Sequence, residues 1–182
     1  PEFLWRNGAD GTLTGMGQTW STPVITKVLV GDGSAQNADR LVMIVGGGYD
    51  ATQDAIPYNT DDTGNSIFIL DALDGSLLWH AGQSGADYNN AKMNNSIPAD
   101  IRVLDMSNDG YADRMYVADT GARIWRFDIV NGQPKGTLVR GGIFASLGVA
   151  DGTGTSPADA RRFYNAPDAA LLRANNRFYL NL

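Results

Sequence analysis

Apolar runs of five to eight residues alternate with polar breaks rich in Gly, Asn and Asp along this chain. Seven runs read as strands: "PVITKVLV" (23–30), "RLVMIV" (40–45), "SIFILDAL" (66–73), "IRVLD" (101–105), "RMYVAD" (114–119), "RIWRFDI" (123–129) and "RFYLNL" (177–182). They are rich in β-branched and aromatic residues and are bounded by turn formers. Trp125, Arg126, Phe127 and Asp128 alternate apolar with polar, as a half-buried strand does. Ile67 to Leu70 is apolar on both faces, which suits a strand lying between two layers. No helical periodicity is sustained; "PDAALLRANNRF" comes nearest, and its place in an internal repeat makes it a strand.

The repeat emerges when the chain is compared with itself. "STPVITKVLV" at 21 resembles "SIPADIRVLD" at 96, and each is followed by a loop, then Ala-Asp-Arg (Asp39-Arg40, Asp113-Arg114) and an apolar strand. A weaker third copy runs from "APDAALL" at 166 into Asn176-Arg177. Two copies end in a related turn, "ILDALDGSLLW" and "RFDIVNGQPKG", whose aspartates Asp71 and Asp128 lie 57 apart while the Asp-Arg pairs lie 74 apart. The first copy therefore holds 17 extra residues (74 less 57), an insertion placed at about 48–65. Repeated antiparallel units with Trp near their ends (Trp5, Trp79, Trp125) predict β-propeller blades. Residues 1–182 then form part of one all-β propeller domain, a fragment of roughly two and a half blades; the opening "EFLW" also reads as a cut inside a motif.

Composition supports strands over helices. There are 19 Asp and 14 Asn against a single Glu, Glu2, and turn-forming oxygens outweigh helix formers. A net charge of −6 with three lysines argues against a nucleic-acid partner. No apolar run is long enough for a membrane span, and the absence of Cys fits an exported or a cytosolic protein equally.

One break carries a chemical signature. "DMSNDGYAD" offers side-chain oxygens at Asp105, Ser107 and Asp109, a turn glycine at Gly110, the Tyr111 carbonyl and then Asp113. This is the first part of an oxygen-lined calcium loop, and calcium takes six to eight hard oxygens. It is no EF-hand: the twelfth position is Tyr116 and a strand follows. The matching turn of the first copy, "VLVGDGSAQNAD", keeps at most Asp32 and Asp39, and that of the third, "LLRANNR", has no carboxylate. The turn by itself does not demand the acidic cluster, and three carboxylates this close repel one another unless a cation joins them. The expected metal ligands are Asp105, Ser107, Asp109, Tyr111 and Asp113, with Ca2+ as cofactor.

Other features are weaker. The acidic stretch "YDATQDAIPYNTDDTGN" (49–65) lacks regular spacing and reads as a solvated surface loop, with Tyr49, Pro57 and Tyr58 offering a contact surface. His80 follows Trp79 at a strand end, and a lone histidine without Cys argues against zinc or thiol chemistry. Asp71 and Asp128 read as turn formers, and "GDGSAQ" and "GGGYD" open no helix that could cradle phosphate. No catalytic or cofactor-binding constellation is visible, so the chain reads as non-enzymatic.

Taken together, "GQTWSTPVI", "VGGGYD", "GNSIFILDALDGSLLW", "SIPADIRVLDMSNDGYADRMYVADTGARIWRFDI" and "FYNAPDAALL" resemble the C-terminal propeller of the PilY1/PilC type IV pilus proteins. The resemblance implies a quinoprotein-like propeller with a calcium loop of the form Asp-x-Asn-x-Asp-Gly-x-x-Asp. It further implies a place at the pilus tip and cell surface of a Gram-negative bacterium, where calcium governs pilus extension against retraction and hence twitching motility and adhesion. Pilins or minor pilins are the implied partners, with a host surface receptor as a further one. Ser107 departs from the family's Asn or Asp and is a weaker ligand. Two other classes stay open: a quinoprotein-type dehydrogenase propeller, and a calcium-stabilised adhesive propeller unrelated to pili.

Overall fold

The computed structural model describes residues 2–7, 11, 13–32, 37–55, 59–148, 160–172 and 177–181. Eleven strands lie among them: β1 (Val24–Gly31), β2 (Asn37–Gly46), β3 (Ile67–Asp71), β4 (Leu77–Gly82), β5 (Tyr88–Asn89), β6 (Arg102–Leu104), β7 (Arg114–Ala118), β8 (Arg123–Ile129), β9 (Val139–Ser146), β10 (Asp168–Leu172) and β11 (Arg177–Asn181). There is no α-helix among the described residues, only two short 3-10 turns, at Ala51–Asp54 and Lys135–Thr137. The chain is all-β, as its Asp-rich, Glu-poor composition predicts.

The strands form three sheets in chain order: β1-β2-β3-β4-β5, β6-β7-β8-β9 and β10-β11. Neighbours pair antiparallel except the short β4–β5 contact, and none of the three sheets closes on itself. β1 to β4 and β6 to β9 follow the same antiparallel order, and β10-β11 pairs antiparallel as β6-β7 does. Residues 47–66 join β2 to β3, whereas 119–122 suffice between β7 and β8.

One core cluster draws on both large sheets: Val42, Ile44, Ile69 and Trp79 from the first, and Met115, Val117, Trp125 and Phe127 from the second. The rings of Trp79 and Phe127 meet edge to face across the joint, 5.6 Å apart. The sheets thus stack face to face, and β3 is buried at every position because layers cover both its sides. Its second face packs Phe68 and Leu70 against Leu13, Trp5 and Met16.

Two strands escape the apolar pattern. β9, "VRGGIFAS", carries Arg140 and two glycines, and is held by its pairing with β8 and not by its own composition. β4 continues past Trp79, so His80 sits inside a strand, paired with Phe68, and not at its end. Backbone pairing, which does not read side chains, carries the strand through His80, Ala81 and Gly82. Nor do Trp79 and Trp125 occupy matching places: one lies on the fourth strand of its sheet and the other on the third.

Candidate metal loop and its surroundings

The loop 105–113 joins β6 to β7 and is built by its own carboxylates. Asp105 Oδ1 accepts the N–H of Asn108 at 2.6 Å and of Asp109 at 3.3 Å, and its Oδ2 accepts the N–H of Gly110 at 2.8 Å. These bonds, the one from Gly110 foremost, hold the Asp105 carboxyl below the usual range. Asp113 Oδ2 accepts from Met106 N and Ser107 N at 2.7 and 2.9 Å, and Asp109 Oδ1 accepts from Tyr111 N at 3.0 Å. The backbone turns through left-handed φ at Asn108 (61°) and Gly110 (91°), positions that suit Asn and Gly.

The loop is exposed along most of its length, and among the described residues none of its three carboxylates is ion-paired. Nor do three acidic or histidine side chains stand together as a ready metal cage among the described residues. The carboxylates face the loop's own N–H groups instead. The donor set still fits calcium: three carboxylates, one hydroxyl and one carbonyl are all hard oxygens, and Asp105 Oδ2, Asp109 Oδ1 and Asp113 Oδ1, each bonded to a single donor, retain a second lone pair. The corresponding turns of the other two copies fall partly at 33–36 and 173–176, outside the described residues.

The loop also rests on the neighbouring sheet. Ala112 N donates to Lys27 O of β1 at 2.8 Å, and Tyr111 Oη donates to Asp39 Oδ1 of β2 at 2.8 Å. That bond raises the Tyr111 phenol above its ordinary range. Asn131, in the turn after β8, reaches both sides: Leu29 N donates to its Oδ1 at 2.8 Å, and its Nδ2 donates to Ala112 O at 3.0 Å and Asp113 Oδ1 at 3.4 Å. All five expected ligands are therefore on one loop at the joint between two sheets. Asn131 was not singled out in sequence, where "NG" announces only a turn.

The aspartates expected as turn formers do something more. Asp71 Oδ1 does accept Leu73 N in a turn, but Asp71 also lies 3.6 Å from Arg40. Asp128 sits within β8, where it pairs with Arg114 at 2.5 Å and Arg126 at 2.8 Å. Burial would raise the Asp128 carboxyl, but the two guanidinium groups hold it low. The arginine of each Ala-Asp-Arg motif thus meets the aspartate at the end of its own repeat. Register explains the difference in distance: Asp128 is directly opposite Arg114, whereas Asp71 is opposite Val42, two residues beyond Arg40.

The stretch 49–65 is exposed at Ala51, Thr52, Asp54, Asp62 and Thr63, as a surface loop is, but it encloses a buried polar interior. Asp61 is 2% exposed and accepts four bonds, from Thr52 Oγ1 (2.9 Å), Gln53 Nε2 (2.7 Å), Ser96 N (2.5 Å) and Thr120 Oγ1 (3.1 Å). Asp50, also buried, accepts from Thr52 N and from Thr63 N and Oγ1. The glycines of "VGGGYD" let this insertion close: a Cβ on Gly47 would stand 2.4 Å from Gly64 O, and one on Gly48, at φ +103°, 2.3 Å from Gln18 O. Tyr49 is only 6% exposed, with Trp20 stacked on it at 4.3 Å; Asp54, accepting the phenol hydrogen, pushes its pKa up to about 12. Pro57 and Tyr58 lie outside the described residues. Asp61 reaches Ser96 and Thr120, far along the chain, and no local pattern announces those partners.

Another buried carboxylate closes the short β7–β8 turn. Asp119 accepts from Gly121 N (2.9 Å), Arg123 N (2.8 Å) and Trp125 Nε1 (2.8 Å), with the Arg123 guanidinium 3.8 Å away. Burial pushes its pKa up to about 6 against the pull of those donors. His80 stacks on Phe68, and its Nδ1 lies 3.4 Å from Asp87.

No protein-family model matches the chain, and no curated protein matches it. Among solved structures, the crystal structure of the Pseudomonas aeruginosa PilY1 C-terminal domain matches with a TM-score of 0.62 at 19% sequence identity. The match covers 97% of this chain and 34% of that one, so the chain spans about a third of the solved domain and shares the fold of that part. No helix among the described residues is long and apolar enough to cross a membrane.

Proposed function

We propose that this chain is a calcium-binding, non-enzymatic module of a type IV pilus tip or biogenesis protein, each sheet being one blade of a quinoprotein-like propeller. The observation that carries the reading is the loop 105–113, oxygen-bearing at every second position and set at an inter-sheet joint, in a fold shared with the PilY1 C-terminal domain. Asp105, Ser107, Asp109 and Asp113 would hold the ion through side-chain oxygens and Tyr111 through its carbonyl. The bound ion would supply positive charge to a loop whose three carboxylates otherwise repel. The chain's own residues do the rest: Ala112 and Tyr111 fasten the loop to β1 and β2, so a loop fixed in one conformation stiffens the joint. Such a joint suits a surface protein working outside the cell with pilins or minor pilins, and with a host receptor in adhesion.

The test is thermal unfolding with calcium and with chelator. At calcium one hundred times Kd the folded state gains about 2.7 kcal/mol, a rise in Tm of roughly 5–10 °C for a chain of this size. Asp105→Ala should remove the rise. Asp109→Asn, which leaves the backbone bonds to Asp105 and Asp113 in place, should weaken calcium binding without lowering calcium-free stability. A wild-type Tm indifferent to millimolar calcium would overturn the reading.

A further inference from the structure

We propose that Asn131 is a positioning residue for the 105–113 loop, through which ion occupancy and the docking of the second sheet on β1 become one event. The proposal rests on the calcium reading of that loop. The geometry around the Asn131 amide leaves it one orientation. Leu29 N–H requires an acceptor, so Oδ1 faces β1, and Nδ2 then faces Ala112 O and Asp113 Oδ1. Asp113 is thereby held at both oxygens, Oδ1 by Asn131 and Oδ2 by the N–H groups of Met106 and Ser107. A ligand carboxylate fixed in this way meets an ion without first losing rotational freedom.

The same side chain anchors the sheet joint. Gly132 N donates to Leu29 O at 2.7 Å and Gly31 N to Gln133 O at 2.9 Å, so the turn after β8 lies against β1 like an added strand. Gly31 permits this approach, since a Cβ there would stand 2.2 Å from Gly132 O. If the turn lifts from β1, Asn131 leaves Leu29 and its hold on Asp113 loosens. By linkage, whatever steadies Asp113 must also steady the turn on β1. Alanine would offer neither contact, and a carboxylate would face Asp113 with like charge.

Calcium titration and amide hydrogen exchange on the full chain test this together. Asn131→Ala should bind calcium roughly 10–100-fold more weakly than wild type. In wild type, calcium at one hundred times Kd should slow exchange at Leu29, Gly31 and Gly132 by up to ~100-fold. In Asn131→Ala the Gly31 and Gly132 amides should no longer respond to calcium. A merely structural asparagine would lower the calcium-free Tm and leave Kd unchanged, which overturns the proposal. So would wild-type protein that binds calcium while these three amides ignore it, a measurement that stands even if the variant fails to fold. Wild-type protein that binds no calcium removes the reading of the loop, and this proposal with it.

Discussion

Asp61 is the most informative residue to perturb, because its burial sets a charge against four neutral donors. Its partners are the hydroxyls of Thr52 and Thr120, the Gln53 amide and the Ser96 N–H, and among the described residues no cation pairs with it. Dehydrating a carboxylate is costly, and each charge-assisted bond returns about 1.5–3 kcal/mol. Asp61→Asn changes almost no volume but offers one acceptor oxygen where two are needed. Turned towards Ser96 and Thr120, that oxygen leaves its own NH2 against Gln53 Nε2. Gln53 cannot flip in reply, because its Oε1 is held by Arg162 Nε at 2.8 Å. One donor–donor contact therefore survives in either orientation, and the expected loss is about 1–3 kcal/mol. Asp61→Ala strands the buried Ser96 N–H and opens a polar void, for about 3–5 kcal/mol. Urea denaturation of the two variants against wild type measures both losses. An Asp61→Asn protein as stable as wild type would refute the reasoning, because relief from dehydration would then outweigh the four donors.

Further predictions concern pH and the joint. Asp119 has its pKa raised from 3.8 to about 6, so between those values the folded state keeps a proton that the unfolded state has released. Its contribution is complete below about pH 4 and is lost as pH rises through 6, about 3 kcal/mol in all. Asp105 and Asp128, whose pKa values are lowered, act the other way and below the ordinary carboxylate range. Urea midpoints should therefore fall from pH 4 to 6.5 in wild type and stay flatter in Asp119→Asn; a wild-type midpoint that climbs across this window contradicts the assignment. Gly31→Ala should cost about 1–3 kcal/mol by pushing the turn off β1. Gly136→Ala, where an added Cβ meets nothing within 4 Å, should melt close to wild type, and equal Tm losses in the two would defeat the close-approach argument.

What could be read from residues alone follows from local chemistry. β-Branched and aromatic runs between Gly, Asn and Asp breaks locate strands because strand geometry and turn geometry are decided within a few residues. The connection between β2 and β3 is long, and a longer connection leaves their pairing undisturbed. The loop 105–113 was legible for the same reason: its oxygens lie on nine consecutive residues. β9 was not legible, since two glycines and Arg140 take their strand geometry from β8. The burial of Asp61 was not legible either, because two of its four donors, Ser96 and Thr120, lie far along the chain.

The sequence by itself determined the all-β class and the regular spacing of oxygens in the loop 105–113, both matters of which residues are neighbours along the chain. Only the tertiary structure decided that Arg40 and Arg114 meet Asp71 and Asp128, that Asp50 and Asp61 are buried, and that Asn131 spans the loop and β1. Each of these joins groups brought together when sheets pair and stack. A buried polar group must be satisfied by whatever packing brings beside it, and that partner cannot be read until the chain has folded.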